Sequence, residues 1–357
     1  MIEQKDTATE TESGKPSRQT TIKDIAEILG VSYSTVSRAL HDYSGISEDT
    51  KQKVKDLAKA MNYHPNAYAR SLVLRQSRII GVIVPDIENP YYTSFCKHLT
   101  TYLEKNTDYK VVICDSDREI EKEKGYIEYF QEHRVAGLII VPSGIKEGYF
   151  TELLESGTPL VLVDFDGKQV GVDSVTYDNY SGTKEAIQYL VSLGYSKIAH
   201  VAGKVTSFAS NERLRGFMAS MRAYKVAKED VHIVYAGPTF NDGIEAAKKI
   251  LEMKTLPDAV FVVNDLVAIG MIRHFYEQGI KIPEEMAVVG FDDIPMARML
   301  STPLTTVHQS TQKLAETTGS MLKRQIREGR GGKNSNIKLK TKLIIRESCG
   351  EKLRAVR

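Results

Sequence analysis

The chain has 357 residues, 41% hydrophobic and 26% charged, with a net charge of +2. That length supports two or three domains with a sizeable core, and no apolar run is long enough to span a bilayer. Three cysteines, Cys96, Cys114 and Cys349, lie far apart without a CxxC pair, which argues against a disulfide framework or a structural zinc site.

The opening stretch "MIEQKDTATETESGKPSRQT" has no apolar core of a secretory signal, and its composition reads as a disordered tail over 1–19. A reducing cytoplasm is the expected compartment. Residues 21–62, within a domain of 20–65, read as three short helices. Thr21 and Asp24 form a capping-box pattern, Ile22, Ile25, Ala26 and Leu29 share one face, and Gly30 ends the first helix. Ser32 caps the second, with Val36 and Leu40 inward, and Ser47 caps the third. There Val54, Leu57, Ala58 and Met61 form the apolar stripe, and Pro65 breaks the helix. From Arg18 to Arg78 there are ten Lys and Arg against six Asp and Glu, a local excess of four positive charges. A small domain facing a polyanion has this signature.

The second helix raises a question of its own. "GVSYSTVSRAL" carries Ser34, Thr35 and Ser37 together, although hydroxyl residues compete for backbone hydrogen bonds and are mediocre helix formers. Tyr33, Ser34, Ser37 and Arg38 fall opposite Val36 and Leu40, so they present one polar face.

Residues 66–77 read as a linker or short helix, too brief to persist alone. From Ile79 the pattern changes to short apolar runs: "IIGVIVP", "KVVICDS", "GLIIVP", "PLVLVDF", "KIAHVAG", "AVFVVND" and "MAVVGFDD". Helical segments separate most of them, which predicts α/β architecture with two doubly wound parallel sheets. Ligands in such sheets sit at the carboxyl ends of strands, where Asp115, Asp164, Asn264, Asp265, Asp292 and Asp293 stand. Dinucleotide-binding, P-loop, zincin and nucleophile-elbow motifs are absent, and the eight histidines do not cluster. No enzyme, cofactor or metal is expected.

"TIKDIAEILGVSYSTVSRAL", "NAYARSL", "GVIVPDIENPYY", "ERLRGF", "VVNDLVAIG", "VVGFDDIPMAR", "PLTTVHQ" and "LIIRESC" occur in that order. Together they resemble the lactose-repressor/galactose-repressor (LacI/GalR) family of bacterial transcription regulators, over residues 20 to about 349. The resemblance implies an all-α helix-turn-helix headpiece, a hinge helix, and a two-lobed core similar to periplasmic binding proteins over 78–350. The N-terminal lobe would take about 78–177 and 308–336, and the C-terminal lobe about 178–307 and 337–350.

It also implies roles. Tyr33, Ser34 and Arg38 match base-reading positions, with Thr35 and Ser37 beside them. A face of hydroxyls and arginine suits the major groove, where arginine takes guanine bidentately. Asn66, Ala69 and Leu72 match the hinge, with Leu72 as a minor-groove wedge. Tyr91 and Tyr92 match an aromatic pair near the effector; Asp164, Arg213, Asn264, Asp292 and Gln309 match polar cleft positions. Asp178 lies near a crossover, and Phe240 would cap the cleft. Sugars suit such a set, because carboxylates and amides bond hydroxyls while rings pack on C–H faces. The implied partners are a palindromic DNA duplex, a small carbohydrate effector and a second copy of the chain, with no membrane. A dimer is expected rather than a tetramer, since no heptads follow "RESC". A partner protein acting as co-effector stays open, as in catabolite-control members. An extracytoplasmic sugar receptor and a sugar-pathway enzyme are the competing classes. The missing signal and the basic headpiece oppose the first, the missing catalytic motifs the second.

Overall fold

Side-chain caps set the start of each headpiece helix. The computed structural model describes residues 20–63, 77–144, 150–227, 231–329 and 334–350. Helix α1 (Ile22–Leu29) begins with the expected capping box between Thr21 and Asp24 and ends at Gly30, whose φ of 63° is left-handed. Helices α2 (Tyr33–Leu40) and α3 (Glu48–Ala60) are capped by Ser32 and Ser47. Ile25, Ala26, Val36, Ala39, Val54 and Ala58 are buried together. Two expectations shift. Ala39 rather than Leu40 is the fully buried partner of Val36, and Leu40 packs at the edge. Helix α3 stops at Ala60, before Pro65, and Asn62 takes a φ of 50°. A core this small is marginal by itself, so the caps, worth about 1 kcal/mol each, matter.

The headpiece and the core (from Gln76) are separate compact units. In the core, strand β1 (Ile79–Val84) leads to α4 (Pro90–Asn106), β2 (Lys110–Asp115), α5 (Ile120–Glu132), β3 (Gly137–Ile140), α6 (Thr151–Glu155), β4 (Leu160–Val163) and β5 (Asp173–Tyr177). Then come α7 (Asn179–Ser192), β6 (Ile198–Ala202), α8 (Phe208–Ala223), β7 (His232–Tyr235), α9 (Phe240–Leu251), β8 (Ala259–Val262), α10 (Asp265–Glu277) and β9 (Ala287–Asp292). Strand β10 (Thr305–His308), α11 (Thr311–Glu328), β11 (Asn336–Leu339) and β12 (Lys342–Ile344) complete it.

Two six-stranded sheets result, ordered β11-β5-β4-β3-β1-β2 and β12-β10-β9-β8-β6-β7. Both faces of each are covered: in the first, Ile80, Val82 and Val84 enter one cluster while Ile83 enters another. Strands buried on both faces read as continuous apolar runs, which is why most were legible. Strands β5, β7, β10, β11 and β12 were not among those runs. The sheets are parallel with one exception, since β12 runs antiparallel to β10. It arrives directly from the other lobe and so enters in the opposite sense.

Three crossovers join the lobes, after Tyr177, after His308 and between Leu339 and Lys342. The third lies beyond the expected boundary at 336, because β11 first pairs with β5 through Leu339↔Tyr177. Among the described residues, no helix is long and apolar enough to cross a membrane.

Candidate functional site

In the headpiece, the polar face of α2 points outward. Tyr33 is 65% exposed, and Ser34 and Arg38 are exposed as well, with Thr35 and Ser37 half-buried. Part of the hydroxyl cluster has a local use. The Ser32 hydroxyl accepts from Thr35 N at 3.1 Å and lies 2.7 Å from Ser34 Oγ and 2.8 Å from Thr35 Oγ1. The Arg38 guanidinium donates to Ser44 O at 2.7 Å, so it lies against the following turn. Asn66, Ala69 and Leu72 lie outside the described residues.

In the core, strand ends and helix starts enclose a cavity of about 360 Å³. Tyr91, Tyr92, Asp164, Arg213, Asn264 and Asp292 all line it. Asn89 caps α4 and Pro90 opens it, which sets both tyrosines in its first turn. Their rings pack edge to face with centroids 5.2 Å apart. Asp164 follows β4 at a φ of 53°, and Asp292 ends β9 at a φ of 116°. Non-glycine residues in that region are uncommon and hold only where surrounding contacts enforce them.

Arg213, in the middle of α8, is the hub. Its Nε donates to Asn179 Oδ1 at 2.8 Å, its Nη1 to Val263 O, and its Nη2 to Asp292 Oδ1 at 3.4 Å. The guanidinium stacks 3.8 Å from the Phe291 ring centre. Burial raises the Asp164 carboxyl to about 6, against the pull of Arg213 and the Tyr91 hydroxyl. Burial likewise raises Asp292 despite the attraction of Arg213. Asp265, behind it, is raised by burial and by the Asp292 charge. Both Asn264 amide atoms are engaged: Oδ1 accepts from Val267 N, and Nδ2 donates to Pro238 O.

Three expected residues lie elsewhere. Phe240 opens α9 instead of capping the cleft, with its carbonyl turned toward Gly270. Pro238 forms the wall there. Asp178 caps α7 by accepting from Ser181 N, and its own N–H donates to Leu339 O, so it serves the crossover. Gln309 stands behind Asp292, donating to its Oδ1 at 2.7 Å. Sequence reading missed Asn89, Arg118, Ser143, Lys204, Ser207 and Ser210, which also line the cavity. Asn89 and Ser207 had a signal, as caps of helices that follow strands. Arg118, at a φ of 60° in a turn, had none.

Among the described residues, no group of three or more His, Cys, Asp or Glu is placed to hold a metal.

Residues 21–66 match the family of bacterial regulatory proteins, lacI family, and residues 187–349 match a periplasmic binding protein-like domain. The HTH-type transcriptional repressor PurR of Histophilus somni (strain 129Pt) is 32% identical over 329 residues, 92% of this chain and 98% of that protein. The lac repressor dimer, solved with operator and the anti-inducer ONPF, superposes with a TM-score of 0.83 at 25% identity, over 93% of this chain and 99% of that one. A LacI family regulator from Enterococcus faecium, solved with bound ribose, gives 0.68 at 26% identity, over 76% and 98%. The relatives are transcriptional repressors, and the chain is a regulator, not an enzyme. With the helix-turn-helix unit, the two-sheet core and this degree of identity together, the chain belongs to the lacI family of bacterial regulatory proteins.

Proposed function

We propose that the chain is a DNA-binding transcriptional repressor that acts as a homodimer on a palindromic operator and responds to a small polyhydroxylated ligand in the core cavity. The observation that carries this reading is the outward face of Tyr33, Ser34 and Arg38 on the second helix of a helix-turn-helix, in one chain with a cavity walled by Tyr91, Asp164, Arg213 and Asp292. Hydroxyl and guanidinium groups reach base edges and phosphates, and one headpiece reads one half-site, so a two-fold dimer reads a palindrome. The lac repressor neighbour, a dimer on its operator, supports both points. Asn66, Ala69 and Leu72 are proposed to contact the minor groove.

For the ligand, two carboxylates, a guanidinium and an aromatic pair suit a carbohydrate, and the ribose-bound neighbour supports that class. The PurR relatives carry a name that mentions no sugar. The same wall would also seat a polar heterocycle between tyrosine and carboxylate.

The test is a binding selection from random duplexes followed by titration of the winner. A palindrome should emerge, and affinity should fall steeply with salt as phosphate contacts release counterions. A thermal-shift panel of pentoses, hexoses, their phosphates and nucleobases then decides the ligand class. No palindrome and a flat salt dependence would overturn the DNA reading; a nucleobase hit alone would overturn the carbohydrate.

A further inference from the structure

The charged pair at the cavity wall is held from behind by two buried amides, and each amide belongs to a different crossover between the lobes. Asn179, 1% exposed, follows the first crossover and opens α7. Its Oδ1 accepts from Arg213 Nε at 2.8 Å, and its Nδ2 donates to Tyr177 O at 3.2 Å. Gln309, 2% exposed, lies on the second crossover, just after β10. Its Nε2 donates to Asp292 Oδ1 at 2.7 Å, and its backbone N–H donates to Asp292 O at 3.4 Å. The two crossovers are themselves joined, since Tyr177 OH donates to Ser310 O at 2.6 Å. A closed circuit results: Arg213, Asn179, Tyr177, Ser310, Gln309, Asp292 and back to Arg213. Neither Asn179 nor Gln309 lines the cavity.

We propose that Asn179 and Gln309 are positioning residues that fix Arg213 and Asp292 for the ligand and carry any displacement of that pair to both crossovers. The proposal rests on the cavity being the effector site, but its circuit is present without a ligand. The physical reason is the stake each bond has. A buried donor or acceptor that loses its partner costs about 1–3 kcal/mol, so the members move together rather than separately. A ligand that recruits Asp292 or Arg213 competes directly with Gln309 or Asn179. The lobes are joined through the crossovers, and these are the segments the amides belong to. The Oε1 of Gln309 has no hydrogen-bond partner among the described residues. The amide is thus held through its donor side alone, toward Asp292.

Hydrogen–deuterium exchange on the full-length, ligand-free protein tests the circuit. Gln309→Ala should speed exchange not only in the peptide spanning 306–312 but also in the one spanning 176–182. Asn179→Ala should do the reverse, and the remote effect should reach roughly threefold to tenfold. Gln325→Ala, a buried amide outside the circuit, should leave both crossovers unchanged. Should either alanine variant fail to fold, Gln309→Glu provides the test within one protein. At pH 5 the introduced carboxyl shares a proton with Asp292 and the link survives. At pH 8 the two charges repel, and exchange at 176–182, corrected for the intrinsic rate, should rise. Changes confined to the substituted crossover, or equal corrected rates at both pH values, would overturn the proposal. Failure to find a ligand would instead count against the effector reading, because no ligand enters this experiment.

Discussion

The hydroxyl of Tyr91 donates to Asp164 Oδ2 at 3.3 Å, while Oδ1 of the same carboxylate, also buried, meets no donor among the described residues. The carboxyl is raised from 3.8 to about 6 by that burial. Between those values the folded protein holds a proton that the unfolded chain has lost. Stability of the ligand-free core should therefore fall as pH rises through that window, then level off. A ligand hydroxyl donating to Oδ1 favours the charged form. Binding should then release a proton, and affinity should rise with pH up to about tenfold per unit below 6. Calorimetry in buffers of different ionisation enthalpy at pH 5 and pH 7.5 measures both quantities. Proton uptake on binding would mean that protonated Asp164 donates to the ligand.

Arg213 and Asp164 should respond differently to truncation. Arg213→Ala strips Asp292 of its cation and removes three hydrogen bonds and the stack on Phe291. Breaking a buried pair in this way costs about 3–5 kcal/mol of stability, so lost binding in that variant mixes folding with recognition. Asp164→Asn keeps the shape without an unpaired charge. We expect a denaturation midpoint at neutral pH no lower than that of the unsubstituted protein, because the buried charge is gone, and ligand affinity lowered by about 1.5–3 kcal/mol, the worth of a hydrogen bond to a charged group. Unchanged affinity in Asp164→Asn would remove Asp164 from the site.

In the headpiece, Arg38 must leave Ser44 O to reach a base. Arg38→Ala should cost about 1–3 kcal/mol and relax preference at one base pair of each half-site. Competition binding with single-substituted operators reads this out. A uniform loss on every sequence would assign Arg38 to phosphate or to bracing the turn.

Helices α9 and α10 touch through glycine. A Cβ at Gly270 would lie 2.0 Å from Phe240 O, and one at Gly243 would lie 2.1 Å from Val267 O. Gly270→Ala should destabilise the second lobe by about 1–3 kcal/mol, since neither backbone can yield without parting the helices. Gly125, inside α5, has nothing within 4 Å of its Cβ direction. Gly125→Ala should stabilise by about 0.5–1 kcal/mol. Urea denaturation of the two variants should thus move in opposite directions.

The local devices were legible in the residues themselves. Thr21 with Asp24, Ser32 and Ser47 cap their helices through bonds spanning three residues, so sequence alone determined where the headpiece helices start. The strands buried on both faces announced themselves as apolar runs, and their ends placed Asp164 and Asp292. Tertiary structure decided what depends on partners far along the chain. Strand β5 carries Asp173, Ser174 and Thr176, yet all three are buried. Asp173 is satisfied by Arg324 and Gln325, and Ser174 by Asn336, each more than 150 positions later. No local window contains such compensation, and the strand does not stand out as an apolar run. The same holds for the cavity. Strand ends gave the carboxylates only as a set of candidates; packing turned Phe240 away, set Gln309 behind Asp292, and brought in Arg118 and Lys204. Charge and polarity are properties of a residue, but which buried polar groups meet is fixed only when distant segments are packed against one another.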